Sequence, residues 1–205
     1  MPINYIVQAD VIDIRSDTPQ KDDIFLVDTN VWYWLTYNPT ISSSVPYKAI
    51  DYTSYLRKAR SSKSLLSYTG FSFAELAHLI EKAEREIFIR ANGTITTKEY
   101  RHNQLSERSR VVLEVESAWN QVKSIAAPIN LTINDHTTDA ALNRFKTQLL
   151  DGYDLFILET MSQEKVTNVI TDDGDFVTIP GIQVFTCNLN VINAAQVQRK
   201  LIVRS

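Results

Sequence analysis

The chain contains few of the residues that define the more specialised protein classes. Its 205 residues include one cysteine, five glycines and six prolines. The single cysteine, Cys187, excludes an internal disulfide framework, and its apolar neighbours predict a small buried residue rather than a nucleophile. The scarcity of glycine and proline and the lack of repeated segments argue against disorder and against a solenoid. With 44% hydrophobic residues, the chain is expected to fold throughout around one core.

Two further absences bear on where the protein acts and what it binds. Long apolar runs are missing, and no basic region followed by an apolar stretch opens the chain, so we expect a cytoplasmic protein without membrane segments. The net charge of −3 provides no overall basic footprint for phosphates. Residues 82–110 nevertheless contain seven basic and four acidic side chains. This segment is either a local nucleic-acid footprint or a solvated helical face, and a bound divalent metal would strengthen attraction to phosphate.

Hydrophobic periodicity predicts an alternation of strands and helices. Strands are expected at 24–27, 64–68, 129–133, 166–171 and 183–186, and helices at 31–37, 48–60, 71–90, 105–125, 138–149 and 151–164. Asn38-Pro39 is expected to end the first helix, and residues 93–103 to form a polar connection. Such alternation favours an α/β fold with a mainly parallel sheet covered by helices on both faces.

Four acidic clusters stand where a predicted strand leads into a helix. Asp28 directly follows the first strand, and Asp172, Asp173 and Asp175 follow the strand at 166–171. Glu75 and Asp154 fall in the first turns of helices expected to start from the same edge of the sheet. Ligands of open α/β sheets bind beyond the carboxyl ends of the strands. Since hard divalent cations prefer carboxylate oxygens, the spacing predicts a magnesium-type site and phosphodiester chemistry.

Helix capping is the alternative explanation for the first three clusters. Asp28 and Asp151 both stand where a carboxylate commonly caps the following helix. The segment Ser72-Phe73-Ala74-Glu75 matches a capping box, in which the serine and the glutamate satisfy each other's backbone N–H groups. Asp154 is harder to explain in this way, because it lies one turn into an apolar helix, where an unpaired charge is costly.

The fourth cluster is the most informative, because three carboxylates within four residues repel one another unless solvent or cations intervene. A helix-flanked calcium loop is disfavoured, since the twelfth residue counted from Asp173 is Val184 instead of glutamate. The chain has no HExxH pair and no Cys/His cluster, so zinc is disfavoured. His78 stands three residues after Glu75 and is predicted to be a boundary residue of an amphipathic helix.

Taken in order, four segments closely resemble those of PIN-domain ribonucleases, a family that includes the toxins of many bacterial and archaeal VapBC toxin–antitoxin pairs. The segments are Leu26-Val27-Asp28-Thr29-Asn30, Ser72-Phe73-Ala74-Glu75-Leu76-Ala77, Asp151-Gly152-Tyr153-Asp154-Leu155-Phe156-Ile157-Leu158 and Ile170-Thr171-Asp172-Asp173-Gly174-Asp175-Phe176. The resemblance extends from about residue 24 to residue 187. No single motif is specific, but the four in sequence are.

The resemblance implies a PIN-like α/β fold, with a central mainly parallel sheet flanked by helices and an enlarged helical insertion. Residues 1–23 would be an N-terminal extension, and 24–205 a single PIN-like domain with the insertion at about 84–130. The implied catalytic and metal-binding acids are Asp28, Glu75, Asp154 and Asp173, with Asp175 as an accessory metal ligand. Asn30 and Thr171 would orient ligands or water, and Asp172 occupies a position that varies within the family.

The implied activity is a Mg²⁺- or Mn²⁺-dependent endoribonuclease that leaves a 5′-phosphate and a 3′-hydroxyl. An RNA substrate, an antitoxin protein and a homodimer partner are the implied partners. A non-catalytic RNA- or protein-binding module of the same fold and a structure-selective DNA nuclease are the alternatives. A phosphatase with an Asp-x-Asp nucleophile is disfavoured, because the second acid would fall at Asn30. The aromatic residues Trp32, Tyr33, Trp34 and Tyr37 are predicted to be core rather than base-stacking residues.

Overall fold

The computed structural model describes residues 3–37 and 47–204. Within these residues the secondary structure comprises six strands, eight α-helices and a short 3₁₀ helix. The strands are β1 (Asp10–Asp13), β2 (Ile24–Val27), β3 (Leu65–Thr69), β4 (Ala127–Ile129), β5 (Asn168–Ile170) and β6 (Gln183–Thr186). The helices are α1 (Thr29–Thr36), α2 (Tyr47–Ser61), α3 (Gly70–Asn92), α4 (Thr97–Asn103), α5 (Leu105–Ile125), α6 (Asp135–Phe145), α7 (Gly152–Gln163) and α8 (Leu189–Val197), and the 3₁₀ helix spans Asp175–Thr178.

The strands form one sheet in the order β1-β6-β5-β2-β3-β4. Every ladder between neighbouring strands is parallel. The predicted α/β class with a central parallel sheet is therefore confirmed. From β2 the chain proceeds outward to β3, whereas from β5 it proceeds outward in the opposite direction to β6. The neighbouring carboxyl ends of β2 and β5 thus form the topological switch point, where open α/β sheets open a crevice for ligands.

Each face of the sheet is covered by its own hydrophobic cluster. Successive strand residues point to opposite faces, so Phe25 and Val27 of β2 belong to one cluster and Leu26 belongs to the other. Helices α1, α2, α3 and α5 contribute to the first cluster, and α6, α7 and α8 contribute to the second. Strands buried on both faces explain the continuous apolar run Ile-Phe-Leu-Val that predicted β2.

Several sequence-based boundaries were wrong. β1 was not predicted; it lies in the segment taken as an N-terminal extension, and it pairs with β6. The edge strand β4 is Ala127–Ile129 instead of 129–133, and the polar connection at 93–103 contains α4. A proline, Pro128, sits in β4, which is tolerated because an edge strand needs fewer backbone donors. Helix α8 was also missed, and the proposed stop at Asn38-Pro39 lies outside the described residues.

Residues 84–130 comprise the end of α3, all of α4 and α5, and strand β4, and several basic residues of this segment have defined partners. Arg101 of α4 donates two hydrogen bonds to Glu81, and Arg110 of α5 donates to Glu84 over 2.8 Å. Both glutamates lie on α3 and are buried. Much of the basic excess at 82–110 is therefore engaged in holding α4 and α5 against α3, rather than forming a free phosphate-binding surface.

Candidate active site

Asp28 lies at the switch point, directly after β2, and its backbone N–H donates to the carbonyl of Ile170 in β5 over 3.0 Å. It caps α1, as the alternative explanation predicted, because its Oδ1 accepts from the Thr29 N–H over 2.6 Å. Its second oxygen, Oδ2, accepts from the Asn30 amide over 2.7 Å and from the Thr171 hydroxyl. Asp28 is therefore both a cap and a fixed carboxylate facing the end of β5.

Thr171 organises the loop that follows β5. Its hydroxyl donates to Asp28 and accepts from the backbone N–H of Asp173 over 2.8 Å. The carboxylate of Asp173 in turn accepts from the backbone N–H of Asp175 over 2.8 Å. The two residues predicted to orient ligands, Asn30 and Thr171, thus form the direct link between Asp28 and the acidic loop, with 3.4 Å between the Asn30 amide nitrogen and the Thr171 hydroxyl.

Glu75 is not the capping residue that its sequence context predicted. The capping box of α3 is made by Thr69 and Ser72, three residues earlier, because the helix begins at Gly70. A helix start at Gly70 places Glu75 beyond the first turn, where no backbone N–H group needs a cap. Its Oε2 is buried and has no hydrogen-bond partner in the described part of the chain. A buried, unsatisfied carboxylate oxygen requires an explanation other than helix capping.

Asp154 lies one turn into α7, and the cap of that helix is Asp151, as predicted. Asp151 accepts hydrogen bonds from the backbone N–H groups of Tyr153 and Asp154 over 2.9 and 3.1 Å. The Asp154 side chain is buried, with 8% of its surface exposed. The cap therefore accounts for Asp151 and leaves the burial of Asp154 unexplained by helix formation.

The four acidic clusters influence one another electrostatically. Burial, with the charges of Asp28, Asp151, Asp173 and Glu75 added, raises the pKa of Asp154 to about 9. Burial and the nearby Glu75 and Asp173 raise the pKa of Asp28 to about 7, although the Thr171 and Thr29 hydrogen bonds oppose the shift. Burial, together with Asp151 and Asp173, raises the pKa of Glu75, although the Thr29 hydroxyl and the nearby His78 oppose the shift. The charges of these acids therefore act on one another at the switch point of the sheet, a region named here the acidic cleft, and they disfavour ionisation of Asp28, Glu75 and Asp154.

Two of the loop acids differ in their surroundings. Asp172 is directed away from this cleft, since its carboxylate accepts from Lys48 over 2.7 Å and from the Tyr52 hydroxyl over 3.2 Å. Burial and the charges of Asp173 and Asp151 raise the pKa of Asp175. Asp175 thus shares the electrostatics of the cleft, whereas Asp172 holds α2 against the end of β5.

The donor set fits a hard divalent cation in its chemistry but is not closed around one. Among residues 3–37 and 47–204, no group of three His, Cys, Asp or Glu side chains stands at metal-binding separation. The unsatisfied Oε2 of Glu75 and the raised pKa values of Asp28 and Asp154 are the observations that favour a cation, because a positive charge would relieve both costs.

Sequence reasoning missed a contact between the N-terminal segment and the acidic loop. The ring of Tyr5 packs on Gly174, where a Cβ would meet the tyrosine ring and hydroxyl at 2.2 Å. The segment is held there by Gln198, whose side chain bonds to the backbone of Tyr5 and Val7. The glycine between Asp173 and Asp175 was visible in the sequence, but nothing indicated which side chain required it.

Replacing Gly174 by alanine is therefore expected to displace Tyr5 and to loosen the acidic loop. We expect the melting temperature to fall by about 2–8 °C, which corresponds to roughly 1–2 kcal/mol for a chain of this size. In a Tyr5→Ala background the same substitution should cost much less, because the clashing ring is gone. Thermal melts of the two single variants and the double variant measure the coupling; equal costs in both backgrounds would contradict the contact.

Other predictions about individual side chains hold. Trp32 is fully buried in the first cluster, and Tyr33 and Trp34 pack against it, so these aromatic residues belong to the core. Cys187 is buried and has no disulfide partner. Among the described residues, no helix has the length and hydropathy that spanning a bilayer requires.

Comparison with known proteins gives only a distant structural similarity. No protein-family model matches the chain, and no curated protein matches it. One solved structure with a similar arrangement is the VapBC2 complex from Rickettsia felis bound to a DNA fragment from its promoter. The two chains are 14% identical with a TM-score of 0.46, and the similarity covers 78% of this chain and 96% of the other. At this level the similarity assigns neither a family nor an activity, and membership of the PIN family stays a prediction.

Proposed function

We propose that the protein is a Mg²⁺- or Mn²⁺-dependent endoribonuclease that hydrolyses phosphodiester bonds at the switch point of the sheet. The observation that carries the proposal is the gathering of Asp28, Glu75, Asp154 and Asp173 from separate parts of the chain. Thr171 links Asp28 to the loop of Asp173, and burial together with the charge of Asp173 raises the pKa values of Asp28, Glu75 and Asp154. A fold does not require buried, mutually repelling carboxylates for its stability, so their presence indicates a functional site.

Each residue of the proposed site has a role that follows from its contacts. Asp28 is held with one oxygen on the α1 backbone and the other on Asn30 and Thr171, so it presents a fixed carboxylate. Glu75 keeps one oxygen without a hydrogen-bond partner in the described chain, ready to accept a ligand. Asp154 and Asp173 complete the proposed ligand set, with Asp175 as an accessory.

Asp28, Glu75, Asp154 and Asp173 would hold a divalent cation, which would supply Lewis-acid polarisation of the scissile phosphate and would lower the pKa of an attacking water. Asn30 and Thr171 fix the orientation of Asp28, and the burial of Asp28 and Asp154 limits competing water around the carboxylates. No side chain of the chain needs to form a covalent intermediate. By resemblance, the products carry a 5′-phosphate and a 3′-hydroxyl.

The biological setting belongs to the same proposal. If the protein is the toxin of a toxin–antitoxin pair, an antitoxin would cover the acidic cleft, and a homodimer would be the working form in the cytoplasm. A basic side chain of such a partner would gain from the surplus negative charge of the cleft. The −3 net charge of the chain favours a partner with a basic contact surface.

Cleavage of a panel of structured and single-stranded RNAs tests the activity, with Mn²⁺ or Mg²⁺ and an EDTA control. We expect metal-dependent cutting that falls by more than ~100-fold in Asp28→Asn, since loss of even an outer partner of a metal ligand costs about 10–100-fold. The matched control is Asp139→Asn, which removes an exposed acid on α6 and should cut like the unaltered protein.

Equal cutting by Asp28→Asn and the unaltered protein would mean that a contaminating nuclease is responsible. A protein that binds RNA or a partner protein without cutting under any metal condition would instead be the non-catalytic module. Cutting of DNA in preference to RNA would show that the protein is a DNA nuclease that uses the same site.

A further inference from the structure

Tyr52 of helix α2 contacts the start of the acidic loop, residues 171–175. Its side chain is fully buried, and its ring stacks on Trp34 with 5.4 Å between the ring centroids. The ring therefore belongs to the hydrophobic core. The hydroxyl, in contrast, is a polar group at the edge of the sheet where the acids lie.

The Tyr52 hydroxyl has four polar neighbours. It lies 2.9 Å from the carbonyl oxygen of Thr171 and 3.2 Å from the carboxylate of Asp172. It also lies 2.7 Å from the Thr186 hydroxyl, and it accepts from the backbone N–H of Cys187 over 3.1 Å. The first two neighbours open the acidic loop, and the other two stand at the end of β6. One hydroxyl thus joins the acidic loop to the neighbouring strand.

The donors and acceptors around Tyr52 show where its proton goes. Burial raises the pKa of Tyr52, so the phenol keeps its proton and can donate it. Thr186 accepts from the backbone N–H of Asn188 over 3.1 Å, and donation to Tyr52 gives the proton of Thr186 a partner. The Thr186 hydroxyl and the Cys187 N–H then occupy both lone pairs of the phenol oxygen. Either remaining acceptor for the Tyr52 proton belongs to the acidic loop.

The first peptide of the acidic loop, between Thr171 and Asp172, is held on two sides. Its carbonyl accepts from Tyr52, and its N–H donates to the side-chain oxygen of Asn30 over 3.4 Å. The C=O and N–H groups of a planar trans peptide point in opposite directions, so partners for both groups fix the orientation of the plane. Tyr52 and Asn30 therefore act together as a clamp on this peptide.

The orientation of this peptide bears on two of the proposed metal ligands. The Thr171 hydroxyl donates to the carboxylate of Asp28 and accepts from the backbone N–H of Asp173 over 2.8 Å. Rotation of the peptide after Thr171 would change the direction in which the chain continues to Asp173. Tyr52 is thus connected, through Thr171, to the spacing between Asp28 and Asp173.

We propose that Tyr52 is a positioning residue of the metal site, which fixes the first peptide of the acidic loop and thereby the spacing of the Asp28 and Asp173 carboxylates. The inference rests on the proposed function, because this spacing matters for chemistry only if the acids bind a metal. Outer partners of metal ligands hold the ligands in place, and their loss costs about 10- to 100-fold in metal affinity or activity. Phenylalanine in place of Tyr52 keeps the ring in the core and releases the peptide.

Titration calorimetry with Mn²⁺, in the absence of RNA, measures the effect of Tyr52→Phe. We expect the dissociation constant for Mn²⁺ to rise by about 10-fold or more. The matched control is Tyr55→Phe, because Tyr55 lies three residues further along α2, is also fully buried, and donates its hydroxyl proton to the buried Asp17. Both variants lose a buried hydrogen bond and should melt at a lower temperature, but only Tyr52→Phe should bind Mn²⁺ more weakly.

Amide hydrogen exchange in EDTA tests the hold on the acidic loop without any metal. The backbone N–H groups of Asp173 and Asp175 both donate within this loop. In Tyr52→Phe these two amides should exchange faster than in Tyr55→Phe by about 5- to 10-fold, the effect of losing one buried hydrogen bond. Amides of the other strands should exchange alike in the two variants.

A measurement on the unaltered protein covers the case in which Tyr52→Phe fails to fold. The buried hydroxyl proton of Tyr52 is accessible to NMR spectroscopy, and Mg²⁺ is diamagnetic. Addition of Mg²⁺ should shift the resonance of the Tyr52 hydroxyl proton and leave that of Tyr55 in place. A Tyr52 resonance that stays unchanged at saturating Mg²⁺ would overturn the inference.

The outcomes separate the inference from the proposed function. Weaker Mn²⁺ binding and faster loop exchange that are confined to Tyr52→Phe support the inference. Unchanged Mn²⁺ affinity in Tyr52→Phe, or an equal loss in Tyr55→Phe, overturns it and leaves the proposed metal site intact. If the unaltered protein binds no divalent metal, the proposed function fails. Loop exchange then decides whether Tyr52 positions the acids: faster exchange in Tyr52→Phe supports this role, and equal exchange in both variants overturns it.

Discussion

Replacing Asp154 by asparagine is expected to stabilise the metal-free protein while removing its response to divalent metal. Asparagine has nearly the same size and no charge, so it avoids the cost of burying a carboxylate beside Asp28 and Glu75. We expect a gain of roughly 1–3 kcal/mol at neutral pH, or about 3–10 °C in Tm. The unaltered protein should gain stability with millimolar Mn²⁺, because a ligand that binds only the folded state stabilises it. The variant should show little of that gain.

The pH dependence of the metal-free protein follows from the same shifts. The folded-state pKa of Asp28 is raised to about 7 and that of Asp154 to about 9, from ordinary values near 4. Between about pH 4 and pH 9 the folded protein binds more protons than the unfolded chain does. Its stability therefore falls as the pH rises through this range. In Asp154→Asn the decline above pH 7 should be much smaller.

Thermal melts in EDTA at a series of pH values measure both effects. Asp139→Asn, at an exposed position, should melt like the unaltered protein at every pH and keep the Mn²⁺ response. A variant Asp154→Asn that melts lower than the unaltered protein in EDTA would show that the carboxylate contributes favourable contacts, which contradicts an electrostatically costly site.

Replacing Arg204 by alanine is expected to cause the largest loss of stability of any single charged residue considered. Its guanidinium donates to Asp17 over 2.6 Å and to Asp23 over 2.7 Å, and it lies over the Phe185 ring at 4.7 Å. Asp17 is buried and also accepts from the Tyr55 hydroxyl. Removing the arginine leaves a buried carboxylate unpaired, which costs about 3–5 kcal/mol. Urea unfolding curves measure the loss.

The matched control is Lys200→Ala, which breaks a pair with Asp10 in which both side chains are more than a third exposed, at 3.5 Å. An exposed pair of this kind contributes about 1 kcal/mol or less. A similar loss of stability in both variants would contradict this prediction. It would show that the buried ion pairs of Arg204 contribute no more than the exposed pair of Lys200.

Much of the fold was readable from the sequence, because its strongest patterns are local. The apolar run Ile24–Val27 and the helix Leu105–Ile125 were predicted with the observed boundaries. β1 was missed because the strand it pairs with, β6, lies more than 150 residues later in the chain. β4 was misplaced because a three-residue edge strand carries almost no periodic signal. Pairing between distant strands is a tertiary effect that short windows do not contain.

The sequence predicted which residues form the acidic cleft but not the contacts that hold them in place. Parallel strands place their carboxyl ends at one edge, so Asp28 and the loop after β5 had to meet. The capping box of α3 was wrong because Ser72-Phe73-Ala74-Glu75 satisfies the motif as well as the Thr69–Ser72 pair does, and only the helix start decides between them. The Tyr5 contact on Gly174 depends on packing between segments far apart in sequence, which no motif records.

The central claim is that these carboxylates form one divalent-metal site. Anomalous diffraction from crystals soaked in Mn²⁺ would test it most directly, beside crystals of Asp28→Asn prepared in the same way. We predict an anomalous peak within the cleft bounded by Asp28, Glu75, Asp154 and Asp173, and its loss or strong reduction in the variant. No peak in that cleft at saturating Mn²⁺, or a peak that survives unchanged in Asp28→Asn, would contradict the claim.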